Sequence, residues 1–248
     1  MQTARDRGMQ GGHHAWPVAG WLTFLALVLL CPSISGAAGG PSVEGTVTIL
    51  DREGTPKSRH DGVVVFLDAL EHAPNVPAPT AHAAVRQQHK RFDPEVLPIV
   101  VGTTVDFPND DTIYHNVFSL SKAKPFDLGL YEQGASKSVT FDQPGLVKVY
   151  CNIHPNMVAY ILVLANPHFT MTDQRGHFAI LDAPLGTATV RSWYPRSREQ
   201  PERGIVVTSQ GIQNLNFSVL ESLYLEIREE NVSIEHKNKL GQDYPAKY

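Results

Sequence analysis

Cysteine and positive charge are both scarce in this chain of 248 residues. Only Cys31 and Cys151 occur, too few for the disulfide framework that holds many small secreted domains together. Lysine and arginine number 21 against 25 aspartates and glutamates, so no basic stripe is expected and nucleic acid is excluded as an expected partner. With 42% hydrophobic and 19% charged residues, the composition also excludes a disordered, collagen-like or coiled-coil chain.

Long apolar segments are missing too. One apolar run covers residues 18–30, which is shorter than the roughly 20 residues that a membrane-spanning helix needs. Two arginines precede this run and small residues follow it at 35–38. The layout predicts a secretory signal peptide at residues 1–37, export to the periplasm and no membrane span in the mature chain; a retained anchor is the alternative. Lipidation of Cys31 is not expected, because Leu30 stands where lipoprotein signals carry Gly, Ala or Ser.

The remaining chain is rich in short β-branched segments separated by turn-forming residues. Strands at this spacing predict an all-β fold of the sandwich type. Residues 71–82 carry Pro, Ala and His without periodicity and predict a long loop. The predicted strands are Val43–Leu50, Val63–Leu67, Leu97–Phe107, His115–Ser119, Ser138–Phe141, Leu146–Cys151 and Met157–Leu164.

The strand Met157–Leu164 is apolar on both of its faces. A strand of this kind is usually covered on both sides, so a second layer has to pack against the face that the first core leaves open. Either a second sandwich of the same chain or a dimer contact would provide that layer.

Cys151 becomes the single cysteine once the predicted signal is removed, and an exported protein needs to bury or ligate a lone thiol. Alternation along its strand turns Cys151 inward. His154 and Met157 follow in the next loop, and His115 opens an earlier strand. A thiolate, two imidazoles and a thioether are the donors of a trigonal copper site with a long axial sulfur, whereas zinc prefers a tetrahedral set. The pattern therefore predicts one copper ion.

These residues also carry a family resemblance. Residues 83–165 resemble a cupredoxin of the plastocyanin/amicyanin type, in particular plastocyanin-like proteins associated with methylamine utilisation, and the short loop Cys-x2-His-Pro-x-Met is similar to that of amicyanin. The resemblance implies a Greek-key β-sandwich, with His115, Cys151, His154 and Met157 as copper ligands and Asn116 as the residue that steadies the ligand loop. The segments that carry it are Phe92-Asp93-Pro94, Val101–Phe107, Asn109-Asp110-Asp111, His115-Asn116-Val117, Pro144-Gly145 and Cys151–Met157.

Outside that region the chain resembles a carboxypeptidase regulatory-like (transthyretin-like) β-sandwich. This second resemblance implies a discontinuous domain of residues 43–69 and 170–219, with the cupredoxin domain 83–165 inserted into it. The alternative is a tandem arrangement in which 42–165 form one enlarged cupredoxin. Residues 221–248 are predicted to be a polar C-terminal tail. The segments that carry the resemblance are Gly45-Thr46-Val47, Asp51–Pro56, Thr172–Phe178 and Ala183–Gly186, followed by a strand ending at Trp193.

Together these expectations describe a type 1 (blue) copper protein that carries single electrons between redox partner proteins. An enzyme is not expected, because four filled ligand positions leave copper no place for a substrate. Two other classes stay open: a periplasmic copper carrier or storage protein with the same ligands, and a structural protein whose second sandwich binds a partner. By the cupredoxin resemblance, the His154 edge reaches the surface through an apolar patch at Ile153 and Pro155.

Overall fold

The computed structural model describes residues 39–72 and 77–222, and every regular element in these ranges is a β-strand. The prediction of an all-β fold is thereby confirmed for the described residues. The predicted signal at 1–37 lies outside the described residues, as does the predicted tail from residue 223 onward. Within the described ranges, no helix has the length and apolar character needed to cross a membrane.

The strands follow one another with short connections. They are β1 (Val43–Leu50), β2 (Val64–Asp68), β3 (Ala83–Ala84), β4 (Arg86–Gln88), β5 (Arg91–Asp93), β6 (Val96–Val100), β7 (Thr103–Pro108), β8 (His115–Ser119), β9 (Phe126–Tyr131), β10 (Ser136–Phe141), β11 (Gly145–Tyr150), β12 (Val158–Leu164), β13 (Phe169–Met171), β14 (His177–Ile180), β15 (Gly186–Trp193), β16 (Glu202–Val207) and β17 (Ile212–Leu220).

Sandwich A is formed by two sheets with the strand orders β14-β1-β17 and β13-β2-β15-β16. In both sheets an early strand, β1 or β2, pairs with strands that follow β12 in the chain. β1 runs parallel to β17, and Gly45 lies where a Cβ would collide with the carbonyl of Leu215, so this approach requires glycine. The core between the sheets includes Val43, Val47, Ile49, Val65, Leu67, Phe178, Val190, Phe217 and Val219.

Sandwich B is formed by the strands from β3 to β12. Its sheets have the orders β6-β12-β11-β8-β9 and β10-β7-β3, and β4 and β5 form a separate hairpin. All five residues of β8 are buried, so His115, the first of them, lies inside the core. β11 pairs with β12 along its whole length, which brings the end of β11 and the start of β12 together at one end of the sheet. The core of sandwich B includes Phe107, Val117, Phe141, Val147, Val149, Cys151, Met157 and Ile161.

β12 joins the two sandwiches. Ala159, Ile161 and Val163 face the core of sandwich B. Tyr160 and its neighbours on the other face pack against sandwich A, where the rings of Tyr160 and Trp193 lie 5.6 Å apart between centroids. The expectation that both faces of this strand are covered is therefore confirmed, and sandwich A provides the second cover.

Two local predictions were incomplete. The segment Leu97–Phe107, predicted as one strand, forms two strands in different sheets, β6 and β7. The chain turns between them at Gly102, whose φ of 89° is a conformation that glycine adopts without strain. The hairpin of β4 and β5 was not predicted, because its strands have only three residues each and are mostly polar. The strand β9 was also missed, although Phe126, Leu128 and Leu130 alternate along it and were a usable signal.

Candidate metal centre

Three potential metal donors converge at one end of sandwich B. His115 opens β8, Cys151 directly follows β11, and His154 lies in the loop between β11 and β12. Their donor atoms lie within 4.8 Å of one another. Because β8 and β11 belong to the same sheet and β11 pairs with β12, the fold itself brings these distant positions together.

The spacing of these atoms is that of ligands around one ion. The Nδ1 atoms of His115 and His154 are 3.1 Å apart, and the Sγ atom of Cys151 lies 3.8 Å from the first and 3.6 Å from the second. The point in the plane of these three atoms that is equidistant from them lies about 2.0 Å from each, which is near a metal–nitrogen bond length, and a metal–thiolate bond is about 0.3 Å longer. The residues present therefore fit a metal ion held by two imidazoles and a thiolate.

The candidate ligand loop, residues 151–157, is closed by hydrogen bonds within its own backbone. The amide of Met157 donates a hydrogen bond to the carbonyl of His154 at 3.0 Å, and the amide of Cys151 donates to the carbonyl of Met157 at 3.3 Å. The Met157 side chain is 1% exposed and packs in the same core as Cys151. The structure thus places Met157 inside the molecule beside the cysteine, on the loop that carries His154.

Asp111 contacts the outer side of the His115 ring. Its Oδ2 atom lies 2.8 Å from Nε2 of His115, on the opposite edge of the ring from Nδ1. A carboxylate in this position fixes the orientation and tautomer of an imidazole whose other nitrogen binds a metal. The sequence places Asn109-Asp110-Asp111 among the segments that carry the cupredoxin resemblance but assigns no role to the Asp111 carboxylate. The four-residue spacing from Asp111 to His115 was the signal that could have revealed the contact.

The carboxylate of Asp111 is itself held by the β4–β5 hairpin. The backbone amides of His89 and Lys90 donate to its two oxygens at 2.6 and 2.8 Å. The amide of Asp111 donates to the side chain of Asn109 at 3.0 Å. Asn109 is fully buried and also donates to the carbonyl of Tyr131 at 3.1 Å, so this turn is fixed to the core.

Asn116, the second residue of β8, lies between the ligand loop and β9. Its side-chain oxygen accepts a hydrogen bond from the backbone amide of Asn152 at 3.3 Å. Its side-chain nitrogen donates to Asp127 at 2.7 Å. Asn116 is fully buried, so its bond with the amide of Asn152 is shielded from water, whereas Asp127 is exposed. The contact joins the strand of one candidate ligand to the loop of the other two.

The protonation states of the cluster follow from burial and nearby charges. Burial raises the pKa of the Cys151 thiol, although the backbone amides of Asn116, Ile153 and His154 favour the thiolate. Burial, followed by the proximity of His115 and Lys90, lowers the pKa of His154. Without metal, the cysteine therefore keeps its proton at neutral pH, while His154 is a neutral imidazole.

Asp111 is ionised in this environment. Burial opposes its ionisation, but the amides of Lys90 and His89 and the ring of His115 outweigh that effect and hold the pKa of Asp111 below its ordinary value. A full negative charge therefore lies next to His115, on the side away from the three converging donor atoms.

The surface around His154 is more polar than the resemblance implied. Pro155 is exposed, but Ile153 is only partly exposed and packs against the core of sandwich B. The ring of His154 borders a groove in which Lys90, Arg91 and Arg196 also lie. The two residues expected to form an apolar patch thus have different environments.

Comparisons with known proteins identify similar solved structures over part of the chain. No protein-family model matches the chain, and no curated protein matches it in sequence. A purple cupredoxin from Nitrosopumilus maritimus is 29% identical, with 33% of this chain and 99% of that chain covered and a TM-score of 0.30. A copper-containing nitrite reductase from Thermus scotoductus SA-01 is 30% identical, with 39% and 25% covered and a TM-score of 0.33. An oxidised amicyanin mutant is 22% identical, with 34% and 82% covered and a TM-score of 0.32.

Proposed function

We propose that this protein is a type 1 copper protein that carries single electrons between redox partner proteins. The observation that carries the proposal is the triangle formed by Cys151 Sγ and the Nδ1 atoms of His115 and His154, with edges of 3.1, 3.8 and 3.6 Å. Met157, buried at the end of the same loop, is the proposed axial ligand. Thiolate, imidazole and thioether together suit copper better than zinc, calcium or magnesium.

A bound copper ion would supply a one-electron couple. The chain would keep the donor positions the same in both oxidation states. His115 and Cys151 are fully buried, and Met157 is 1% exposed. Asn116 accepts a hydrogen bond from the amide of Asn152 and thereby restricts the loop, and Asp111 accepts one from Nε2 of His115 and restricts that ring. Rigid donors would reduce the rearrangement that accompanies each electron transfer. Four donors around one ion would also leave no open position for a substrate, which favours a carrier over an enzyme.

Electrons would pass through His154. It is the one member of the triangle that is partly exposed, whereas the other two are fully buried. An imidazole that contacts the metal on one side and a groove on the other offers the shortest path to a partner.

We propose that residues 43–69 and 170–219 form a carboxypeptidase regulatory-like domain into which the cupredoxin domain 83–165 is inserted. The pairing of β1 with β14 and β17, and of β2 with β13 and β15, supports this arrangement over a tandem one. The apolar run and small residues near the start of the chain support secretion to the periplasm.

Voltammetry of the copper-loaded protein distinguishes the electron carrier from a copper carrier or storage protein. We expect one reversible one-electron wave that persists over many cycles in the presence of a Cu(I) chelator, because the buried donors retain the ion in both states. A protein that delivers copper would instead lose the wave as the chelator removes Cu(I). That loss would replace the proposed function with copper transport.

A further inference from the structure

A groove of about 610 Å3 lies beside His154 where the two sandwiches meet. Sandwich B contributes the β4–β5 turn and the ligand loop. Sandwich A contributes residues that follow β15 and β17. The groove is therefore a surface that neither sandwich forms alone, and one of its walls is the exposed edge of the proposed electron path. Its lining includes Lys90, Arg91, Glu95, His154, Pro155 and Arg196.

The charge of this groove is opposite to that of the chain. Three cations line it, at Lys90, Arg91 and Arg196, against the single carboxylate of Glu95. Glu95 lies 3.7 Å from Arg196, so these two charges offset one another. Lys90 and Arg91 then leave a local positive charge on a chain whose formal net charge is −4.

The turn that carries the two cations is held at its backbone by Asp111, next to the candidate metal centre. The backbone amide of Lys90 donates to Asp111, and Asp111 contacts His115. His89 and Lys90 both adopt positive φ angles, 55° and 57°, so the tight turn between β4 and β5 has one defined shape. The backbone that carries the two cations therefore has a defined position next to His154, with both side chains extending from it into solvent.

We propose that this groove receives an acidic segment of a redox partner protein and places it against His154. The inference rests on the proposed function and names the chemistry of the partner. On a chain whose net charge is negative, a local excess of positive charge at the groove favours one orientation of an acidic partner and speeds its association. Pro155 adds a small apolar contact at the rim. A small charged contact of this kind suits a complex that has to dissociate after each transfer.

Stopped-flow oxidation of the reduced, copper-loaded protein tests the inference. Each protein gives one electron to hexacyanoferrate(III), which becomes hexacyanoferrate(II); the cationic oxidant tris(phenanthroline)cobalt(III) is used in parallel. We expect the rate with the anion to fall as sodium chloride is added. Lys90→Glu/Arg91→Glu should lower the anion rate at low salt about tenfold and leave the cation rate undiminished. The milder Lys90→Ala/Arg91→Ala should lie between wild type and that variant.

The matched control is Lys122→Glu/Arg175→Glu, which makes the same total change of charge away from the groove. Lys122 follows β8 at the end opposite His115, and Arg175 lies in the turn between β13 and β14. We expect this control to change the anion rate less than twofold. Hexaglutamate should slow hexacyanoferrate(III) reduction by wild type, and hexalysine should not.

Each alternative outcome overturns a definite statement. Equal loss of rate in both charge-reversed variants, or a wild-type anion rate independent of salt, would overturn the groove as the docking surface. If the groove variant slows hexacyanoferrate(III) reduction more than the control variant does, but hexaglutamate does not inhibit the wild type, the acidic segment is overturned as the occupant of the groove. A visible spectrum taken first separates failure of this inference from failure of the proposed function. A colourless copper-loaded protein would overturn the proposed function and this inference together. A coloured protein whose kinetics are unaltered by Lys90→Glu/Arg91→Glu would overturn only this inference.

Discussion

Replacement of Asp111 by asparagine should weaken copper binding while preserving the shape of the side chain. The Asp111 carboxylate faces three donors: the amides of His89 and Lys90 at 2.6 and 2.8 Å, and Nε2 of His115 at 2.8 Å. An amide has one accepting oxygen in place of two, so at least one of these bonds is lost and the negative charge disappears.

The size of the effect follows from these contacts. A hydrogen bond to a charged group contributes about 1.5–3 kcal/mol, so metal-free Asp111→Asn should lose stability of that order for each bond lost. Loss of a partner that orients a metal-binding imidazole typically reduces metal affinity about 10–100-fold. The reduction potential should also rise, because removal of a nearby negative charge destabilises the more highly charged Cu(II) state.

Competition titration with a copper chelator measures the affinity, voltammetry the potential and urea denaturation the stability. Asp110→Asn is the matched control, since the neighbouring carboxylate pairs with Arg86 at 3.0 Å on the surface. An exposed pair of this kind contributes at most about 1 kcal/mol, and copper affinity should stay at the wild-type value. If Asp111→Asn binds copper as tightly as Asp110→Asn and with the same potential, the reasoning about His115 is refuted.

Three further results are expected. Met157→Leu should retain copper and colour and show a higher reduction potential by voltammetry, because a thioether that favours Cu(II) is lost. Failure of this variant to bind copper would mean that Met157 is more than a weak axial ligand. Copper affinity, titrated between about pH 6 and 8, should fall about tenfold for each unit of decreasing pH. The raised pKa of Cys151 means that the metal has to displace the thiol proton, whereas the lowered pKa of His154 delays proton competition at that imidazole to lower pH. A copper affinity that does not change with pH would show that the thiol is already ionised. Trp193→Ala should lower the free energy of unfolding in urea by about 3–5 kcal/mol, because this ring packs between the sandwiches. The control Leu185→Ala, at a residue that is 57% exposed, should change that free energy by less than about 0.5 kcal/mol. Equal effects of the two substitutions would contradict the core shared by the sandwiches.

The candidate metal centre was predictable because its strongest signal is local. Cys151, His154 and Met157 occupy one short loop, and the inward direction of Cys151 follows from alternation along a single strand. His115 was found as an imidazole at the start of a predicted strand. The all-β class was equally accessible, since strands are short-range patterns and turn residues mark their ends.

The features that the sequence did not reveal depend on contacts between distant segments. Asp111 is held by amides more than twenty residues earlier in the chain, in a hairpin whose strands show no clear alternation. The groove beside His154 combines loops of two sandwiches, so no single segment carries its pattern. The division of Leu97–Phe107 into two strands depends on the conformation of Gly102, and composition alone does not fix that conformation.

The visible absorption spectrum of the copper-loaded protein, recorded beside that of Cys151→Ser, tests the central claim most directly. If Cys151 and the two imidazoles bind copper as a type 1 centre, the oxidised wild-type protein shows an intense sulfur-to-copper charge-transfer band, and the serine variant, still folded by circular dichroism, lacks it. A colourless wild-type protein that holds one equivalent of Cu(II), or a band that survives in Cys151→Ser, would contradict the claim.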